Sequence, residues 1–216
     1  PTLLTPAGYV FAIWGVIYVL LGAFVVYQAL PRNHEKPFHD EIGWLFVLSC
    51  LFNVLWIFAW QHLYLSLSVL LIVGLLVSLI LIYLRLDIGR RKVDRGERVA
   101  VHLPFSVYLG WITIATVADI SVTLVSLNWD GSGIGLETWA VIVFLLILVI
   151  AMLVAFLRRD VAYELVVIWA FVGIAVNQNS NTNIVDLMIL GAILVALATV
   201  INVLWARWFR DKGFPT

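Results

Sequence analysis

The sequence predicts an all-α fold, a polytopic transmembrane helical bundle of seven spans. Of its 216 residues, 63% are hydrophobic and 12% are charged, and the mean hydropathy is +1.06. Soluble proteins carry apolar residues at roughly half of their positions, so this composition indicates an integral membrane protein. The apolar segments are expected to be helices, because open strands cannot cross lipid without leaving backbone groups unpaired.

Polar breaks divide the chain into seven apolar stretches, each close to the roughly 20 residues that a spanning helix needs. Interiors such as VLLIVGLLVSLILIYL are apolar on every face, which is typical of helices that contact lipid or one another. The predicted spans are residues 8–30, 41–61, 64–86, 99–127, 138–157, 161–177 and 184–207.

Basic residues follow every second span. All 13 Lys and Arg residues lie at the ends of spans 1, 3, 5 and 7 or in the connections that follow these spans. They are Arg32 and Lys36; Arg85, Arg90, Arg91, Lys92, Arg95 and Arg98; Arg158 and Arg159; Arg207, Arg210 and Lys212. The positive-inside rule places this side in the cytoplasm, with the N-terminus outside and the C-terminus inside. The predicted location is the cell membrane, as a multi-pass protein of a bacterial inner membrane.

A carboxylate lies inside the fourth predicted span. At 1.5 Å per residue, Asp119 and Asn53 lie about 12 Å, Trp14 about 9 Å and Trp56 about 8 Å below the outer boundary. A carboxylate in the membrane costs about 3 kcal/mol, so Asp119 should face the bundle or a wet cavity. Two interpretations stay open. Asp119 either joins helices through a hydrogen bond to Asn53, a tryptophan N–H or a threonine hydroxyl, or it belongs to a binding site.

Helical spacing gathers large and polar side chains on one face of each of three spans. The three sets are Phe11, Trp14 and Tyr18; Asn53, Trp56 and Trp60; and Trp111, Ala115 and Asp119. Small residues such as Gly110 and Ala115 leave room for close helix contact or for a hollow. The ligand-binding residues predicted from this pattern are Trp14, Tyr18, Asn53, Trp56, Trp111, Ala115 and Asp119.

Three sequence motifs carry a family resemblance. TPAGYVFAIWGVIYVLLG (5–22), CLFNVLWIFAWQ (50–61) and YLGWITIATVADI (108–120) resemble, in order and spacing, the signature helices of the tryptophan-rich sensory protein family, TspO/MBR, to which the translocator proteins belong. The resemblance covers residues 5–127. It implies a five-helix core whose cavity binds tetrapyrroles and, in some members, sterols.

The chain departs from the family pattern in three ways. Asp119 stands where the family has Asn, which could change the preferred ligand or its charge. The family's first helix is absent, so we expect either further upstream sequence or a pocket that is closed differently. Residues 1–127 are predicted to form the family-like core of four spans, and residues 128–216 to add three transmembrane helices to the same membrane domain.

The leading functional hypothesis is a non-enzymatic membrane receptor or sensor that binds a flat apolar ligand, with a porphyrin or haem-type tetrapyrrole as the expected molecule. Catalytic motifs and metal-binding Cys/His spacings are missing from the sequence, and no nucleic-acid partner is expected. Membrane lipids and the apolar ligand are the expected partners, with a homodimer as a further expectation. Two alternatives are a structural or accessory subunit of a larger, pigment-containing membrane complex, and a transporter, since intramembrane carboxylates often line substrate paths.

Overall fold

The structure, a computed structural model, describes the backbone of residues 2–129 and 133–211 and the side chains of these residues up to 205. Within that part of the chain, all regular secondary structure is helical and there is no strand. This confirms the predicted all-α fold. The side chains of Arg207, Arg210 and Lys212, predicted to lie on the cytoplasmic side, fall outside the described residues.

Seven long helices, labelled α1 to α7 in chain order, occupy the described residues. They are α1 Ile13–Ala29, α2 Leu45–Gln61, α3 Leu65–Arg85, α4 Leu103–Ser126, α5 Leu136–Arg158, α6 Val161–Asn177 and α7 Thr182–Asp211. A 3-10 turn, Gly8–Ala12, leads into α1, and a π-helical turn, Arg98–His102, leads into α4. Each long helix falls on one predicted span.

Length separates these helices into two groups. Over the described residues, five helical segments are long and apolar enough to cross a membrane: Gly8–Ala29, Leu65–Arg85, Arg95–Ser126, Leu136–Arg158 and Thr182–Trp205. The other two, α2 and α6, are apolar but have 17 residues each, about 26 Å of helix against a hydrocarbon core of about 30 Å. The chain is a multi-pass membrane protein, and the count of seven spans stays a prediction.

The second predicted span begins later than expected. Residues 38–42 form a separate short helix, and Gly43 follows it with a positive φ of 46°. A glycine adopts this conformation without the steric cost that a side chain would add. The chain therefore turns at Gly43, and α2 begins only at Leu45.

Helix α4 lies at the centre of the bundle. It packs against α1, α3 and α6, while α2 packs on α3 and α7 packs on α5 and α6. Buried residues of all these elements except α2 form one continuous hydrophobic cluster, which α2 joins through half-buried side chains such as Phe52 and Trp56. Outward-facing residues such as Val19 and Leu70 are apolar and exposed. Exposed apolar surface on this scale suits a lipid environment.

The loops after α1, α3 and α5 meet at one end of the bundle. Lys36, after α1, forms an ion pair with Asp94, which precedes α4. Arg158, at the end of α5, forms an ion pair with Asp87, which follows α3. The connections that carry the basic residues thus lie together.

The N-terminus lies at the opposite end. The Asn177 amide donates to the backbone carbonyl of Thr5 (2.9 Å), and the Asn181 amide donates to Glu137 (3.1 Å). The start of the chain, the end of α6 and the start of α5 are joined in this way. Which end faces the cytoplasm stays a prediction from the charge distribution.

Candidate functional site

Asp119 is buried between three helices, with a side chain only 1% exposed. The indole N–H of Trp56 on α2 donates to Oδ2 (2.8 Å), and the hydroxyl of Ser68 on α3 donates to Oδ1 (2.9 Å). The Thr123 hydroxyl, one turn further along α4, is 3.5 Å from the same oxygen. Both carboxylate oxygens therefore accept hydrogen bonds, and the acid links α2, α3 and α4. The expected contacts to a tryptophan N–H and a threonine hydroxyl are present.

The expected hydrogen bond between Asn53 and Asp119 is not formed among the described residues, and Asn53 bonds to α1 and α4 at other positions. Its amide donates to the hydroxyl of Tyr108 on α4 (2.8 Å), and its carbonyl oxygen accepts from the hydroxyl of Tyr18 on α1 (3.3 Å). Asn53 and Tyr108 are buried, whereas Tyr18 is exposed. This chain of three side chains connects α1, α2 and α4.

Trp14 is the centre of an aromatic cluster. Its ring stacks on Tyr18 and on Trp56, each with centroids 5.6 Å apart. Trp111 meets Trp14 edge to face at 6.4 Å and Phe11 at 5.6 Å. Aromatic pairs at these distances and angles are favourable beyond the area they bury. Helix α1 packs chiefly on α4 and α2 on α3. The Trp14–Trp56 stack adds a contact between α1 and α2, as do the Tyr18–Asn53 hydrogen bond and the Phe24–Phe46 ring pair.

A cavity of about 80 Å³ lies among these side chains. Its lining comprises Thr5, Pro6, Phe11, Trp14, Trp56, Trp60, Trp111, Ile114, Ala115, Ala118, Asp119 and Val122. Five of the seven predicted ligand-binding residues are in this set. The other two, Tyr18 and Asn53, lie behind the aromatic wall and contact it through Trp14 and the Tyr108 network.

Trp111, in the cavity wall, is buried, with 1% exposure. Its indole N–H has no hydrogen-bond partner among the described residues. Of the other deep tryptophans, Trp56 donates to Asp119 and Trp169 donates to the carbonyl of Val10 (3.2 Å). Trp111 therefore differs from Trp56 and Trp169, whose N–H groups are paired. An unpaired buried donor beside a cavity is uncommon and invites an acceptor from a bound molecule.

The N-terminal segment and α6 close the bundle beside this cavity. The Ala7 N–H donates to the Gly173 carbonyl (3.0 Å). Val10 lies so close to Gly173 that a Cβ there would be 2.1 Å from Cγ2 of Val10. Helix α6 thus holds the 3-10 turn against α4.

Gly110 and Ala115 serve different purposes on α4. A Cβ added to Gly110 would lie 3.1 Å from Cβ of Val166 and 3.3 Å from the Tyr163 carbonyl, so Gly110 permits the close approach of α6. Ala115 lines the cavity instead. Both alternatives predicted for small residues, close contact and a hollow, occur on the same helix.

Sequence reasoning missed Ser68 as a partner of Asp119. Ser68 lies in an apolar run of α3 and is fully buried. A lone serine in such a helix usually donates to its own backbone, and Ser68 also contacts the Leu65 carbonyl (2.8 Å). At 1.5 Å per residue, Ser68 lies only about 6 Å below the predicted outer boundary, against about 12 Å for Asp119. The depth estimate therefore did not indicate this pair.

No group of three or more His, Cys, Asp or Glu side chains that could hold a metal ion occurs within the described residues. His102, in the π-helical turn before α4, is buried, and its Nε2 has no partner in the same part of the chain. The hydrogen bonds to Asp119 described above all come from neutral donors. The arrangement is suited to binding an apolar molecule with a small polar part.

Comparison with known proteins gives one match. The family model described as TSPO-like protein matches residues 1–205. The match extends beyond the motif region at 5–127 and includes helices α5 and α6 and most of α7. No curated protein and no solved structure matches the chain.

Proposed function

Because the chain belongs to the TSPO-like family, we propose that it is a non-enzymatic membrane receptor or sensor that binds a flat, largely apolar ligand. The family itself suggests the broader class, a sensor or receptor-type membrane protein. The observation that carries the finer proposal is the convergence of Trp14, Trp56 and Trp111 on one cavity with Asp119 in its wall. Trp111 brings an unpaired N–H to the same cavity.

Each part of the wall has a role in this proposal. Indole rings offer flat apolar faces on which a conjugated ring system stacks. Ala115 leaves space, the Trp111 N–H donates to a ligand oxygen or nitrogen, and Asp119 meets a donor or a cation. Tyr18 and Asn53 act from behind the wall by holding α1 and α2 in place. A porphyrin-type molecule combines the required flatness, apolar edge and central N–H groups.

The cavity must enlarge to accept such a ligand. Its volume is about 80 Å³, whereas pockets for drug-sized molecules measure roughly 300–1,000 Å³. We infer that the Trp14–Trp56 stack separates, because these two rings line the cavity and contact each other between α1 and α2. The ligand then replaces one indole face with its own and inserts between the helices.

Titration with protoporphyrin IX tests the proposal. The protein in lipid nanodiscs is expected to show saturable quenching of tryptophan fluorescence. Ala115→Phe fills the cavity and is expected to weaken binding roughly tenfold or more, as for other steric blocks of a small pocket. Ala23→Phe makes the same chemical change on the exposed face of α1 and is the matched control.

Two results would overturn the proposal. Non-saturable quenching would show only partitioning of porphyrin into lipid. Equal affinity of the wild type and Ala115→Phe would place the porphyrin elsewhere. Either result would leave Asp119 and the tryptophans as structural contacts between helices.

We place the receptor in the cell membrane of a bacterium, with the basic connections in the cytoplasm. Support comes from the loops after α1, α3 and α5, which meet at one end of the bundle. In that orientation the cavity, bordered by Thr5 and Pro6, lies toward the outer leaflet. A membrane-impermeant amine reagent applied to intact cells should therefore leave Lys36 unlabelled.

A further inference from the structure

A second and larger cavity lies at the same end of the bundle as the N-terminus. Its volume is about 310 Å³, and it is bounded by the end of α4, the start of α5 and the first residues of the chain. The N-terminal segment borders both cavities, with Thr5 and Pro6 at the smaller one and Leu3 and Leu4 at the larger one.

The walls of this cavity are almost entirely apolar. Trp129 and Trp139 meet edge to face with centroids 4.8 Å apart and form one corner. The remaining apolar lining consists of Leu3, Leu4, Leu124, Val125, Leu136 and Ala140. An apolar cavity of this size within a membrane protein excludes ions and favours a hydrophobic molecule.

Most polar side chains in the lining already have partners. The Ser121 hydroxyl donates to the Val117 carbonyl (2.8 Å), and Glu137 accepts from the Asn181 amide (3.1 Å). Thr2 is bonded to the Thr5 hydroxyl. These groups are already hydrogen-bonded within the protein.

The indole N–H of Trp139 differs from them. Its nitrogen is buried and has no hydrogen-bond partner in the described part of the chain. A buried donor left unpaired is destabilising, so an acceptor that reaches it forms a hydrogen bond that the described part of the protein does not supply. A 310 Å³ apolar cavity with one free donor therefore selects for an apolar molecule that carries a single acceptor.

We propose that this cavity, here called the α4–α5 cavity, is a second ligand site that takes an apolar molecule with one carbonyl or ether oxygen, bound by the Trp139 N–H. The site shares no lining residue with the cavity around Trp111. It therefore adds a binding activity that does not depend on the proposed receptor function.

Benzophenone is the probe for this site. It has two apolar rings and one carbonyl, and on irradiation it inserts into nearby C–H bonds and marks its own binding place. The full chain in phosphatidylcholine nanodiscs is titrated with benzophenone, irradiated and digested, and labelled peptides are quantified by mass spectrometry. Saturable labelling is expected in the peptides that contain residues 121–125 and 136–140.

Three comparisons isolate the hydrogen bond. Trp139→Phe keeps an aromatic ring but removes the N–H, and is expected to raise the half-saturating mole fraction roughly two- to tenfold. Trp44→Phe changes a strongly exposed tryptophan and should match the wild type. Diphenylmethane, which lacks the carbonyl, should compete more weakly than unlabelled benzophenone on the wild-type protein.

The outcomes separate cleanly. Labelling that rises linearly and spreads over lipid-facing helices would overturn the proposal, as would equal affinity for wild type and Trp139→Phe. Equal competition by diphenylmethane and benzophenone on the wild-type protein would show that a hydrogen bond to the carbonyl does not contribute to binding. Leu136→Trp, which narrows the cavity from its exposed side, should reduce labelling, while Ala115→Phe should leave it unchanged because that residue lines the other cavity.

Discussion

The indole N–H of Trp56 donates to the carboxylate of Asp119 across 2.8 Å and joins α2 to α4. Ser68 occupies the other oxygen from α3. The acid is thus held by donors on both sides before any ligand is present. Its position in the cavity wall means that a ligand has to compete with, or add to, contacts that stabilise the bundle.

Substitutions at Asp119 should separate hydrogen bonding from charge. In Asp119→Asn the amide oxygen can accept from Trp56, and the amide N–H can donate to the Ser68 hydroxyl, which still donates to the Leu65 carbonyl. Stability should change little. In Asp119→Leu the Trp56 N–H loses its acceptor inside the bundle, which should cost about 1–3 kcal/mol.

Thermal unfolding in detergent, followed by tryptophan fluorescence, measures this difference. Asp119→Leu should unfold at a clearly lower temperature than Asp119→Asn. If both variants unfold at the same temperature as the wild type, the hydrogen bonds of Asp119 do not stabilise the packing of the helices.

The Asn53 network should respond unequally at its two ends. Asn53→Leu leaves the buried Tyr108 hydroxyl without its 2.8 Å partner and should cost about 1–3 kcal/mol. Tyr18→Phe removes a longer bond of 3.3 Å from an exposed side chain and should be nearly neutral. Chemical or thermal unfolding of the two variants in the same detergent tests the order, and a larger loss in Tyr18→Phe would contradict it.

Much of the fold can be predicted from the sequence, because apolar runs mark the helices and basic residues mark the loops at one end. Each long helix lies on one apolar run, and the loops that carry Lys36 and Arg158 meet at one end. The depth estimates placed Trp14, Trp56 and Asp119 in one layer, and these side chains do meet in the structure. Whether they bind a ligand stays a prediction.

Other features depend on packing that no single chain position reveals. Ser68 looks like any serine in an apolar helix until α3 is placed beside α4. The backbone conformation of Gly43 delays the start of α2 and is not visible in the apolar pattern. The 80 Å³ volume depends on how the rings of Trp14 and Trp111 are oriented, and the closure by α6 depends on contacts between Val10 and Gly173.

The ion pair between Lys36 and Asp94 should make stability depend on pH only at the extremes. A hydrogen bond from Lys36, aided by the Glu97 backbone N–H, lowers the pKa of Asp94 below its ordinary 3.8. The hydrogen bond to Asp94, aided by one to Tyr27, raises the pKa of Lys36 above its ordinary 10.5. An acid whose pKa is lowered by folding stabilises the folded state at pH values above its unfolded pKa. A base whose pKa is raised by folding stabilises the folded state at pH values below its unfolded pKa. The ion pair therefore contributes fully to the stability of the folded state between about pH 3.8 and pH 10.5.

Asp94→Asn measures that contribution. The variant should unfold slightly earlier than the wild type at pH 7, and the difference should shrink as the pH falls below 3.8. The effect should be small because Asp94 is exposed and solvent screens exposed pairs. Glu35→Gln, an exposed acid in the same loop as Lys36, is the control and should show no such convergence. A difference that grows toward acid pH would contradict the assigned direction.

Gly173 tests the contact that holds the N-terminal turn beside the cavity. In Gly173→Ala the new Cβ would meet Cγ2 of the buried Val10 at 2.1 Å, and the stiff valine side chain cannot rotate away cheaply. The turn or α6 must shift, which should cost about 1–3 kcal/mol and lengthen the bond from the Ala7 N–H to the Gly173 carbonyl.

Gly15→Ala is the matched control, because a Cβ at Gly15 meets nothing within 4 Å and helix propensity favours alanine by about 0.5–1 kcal/mol. Thermal unfolding should rank Gly15→Ala at or above the wild type and Gly173→Ala below it. Equal midpoints for the two variants would mean that Val10 does not pack against α6, and the cavity would then lack the closure described for it.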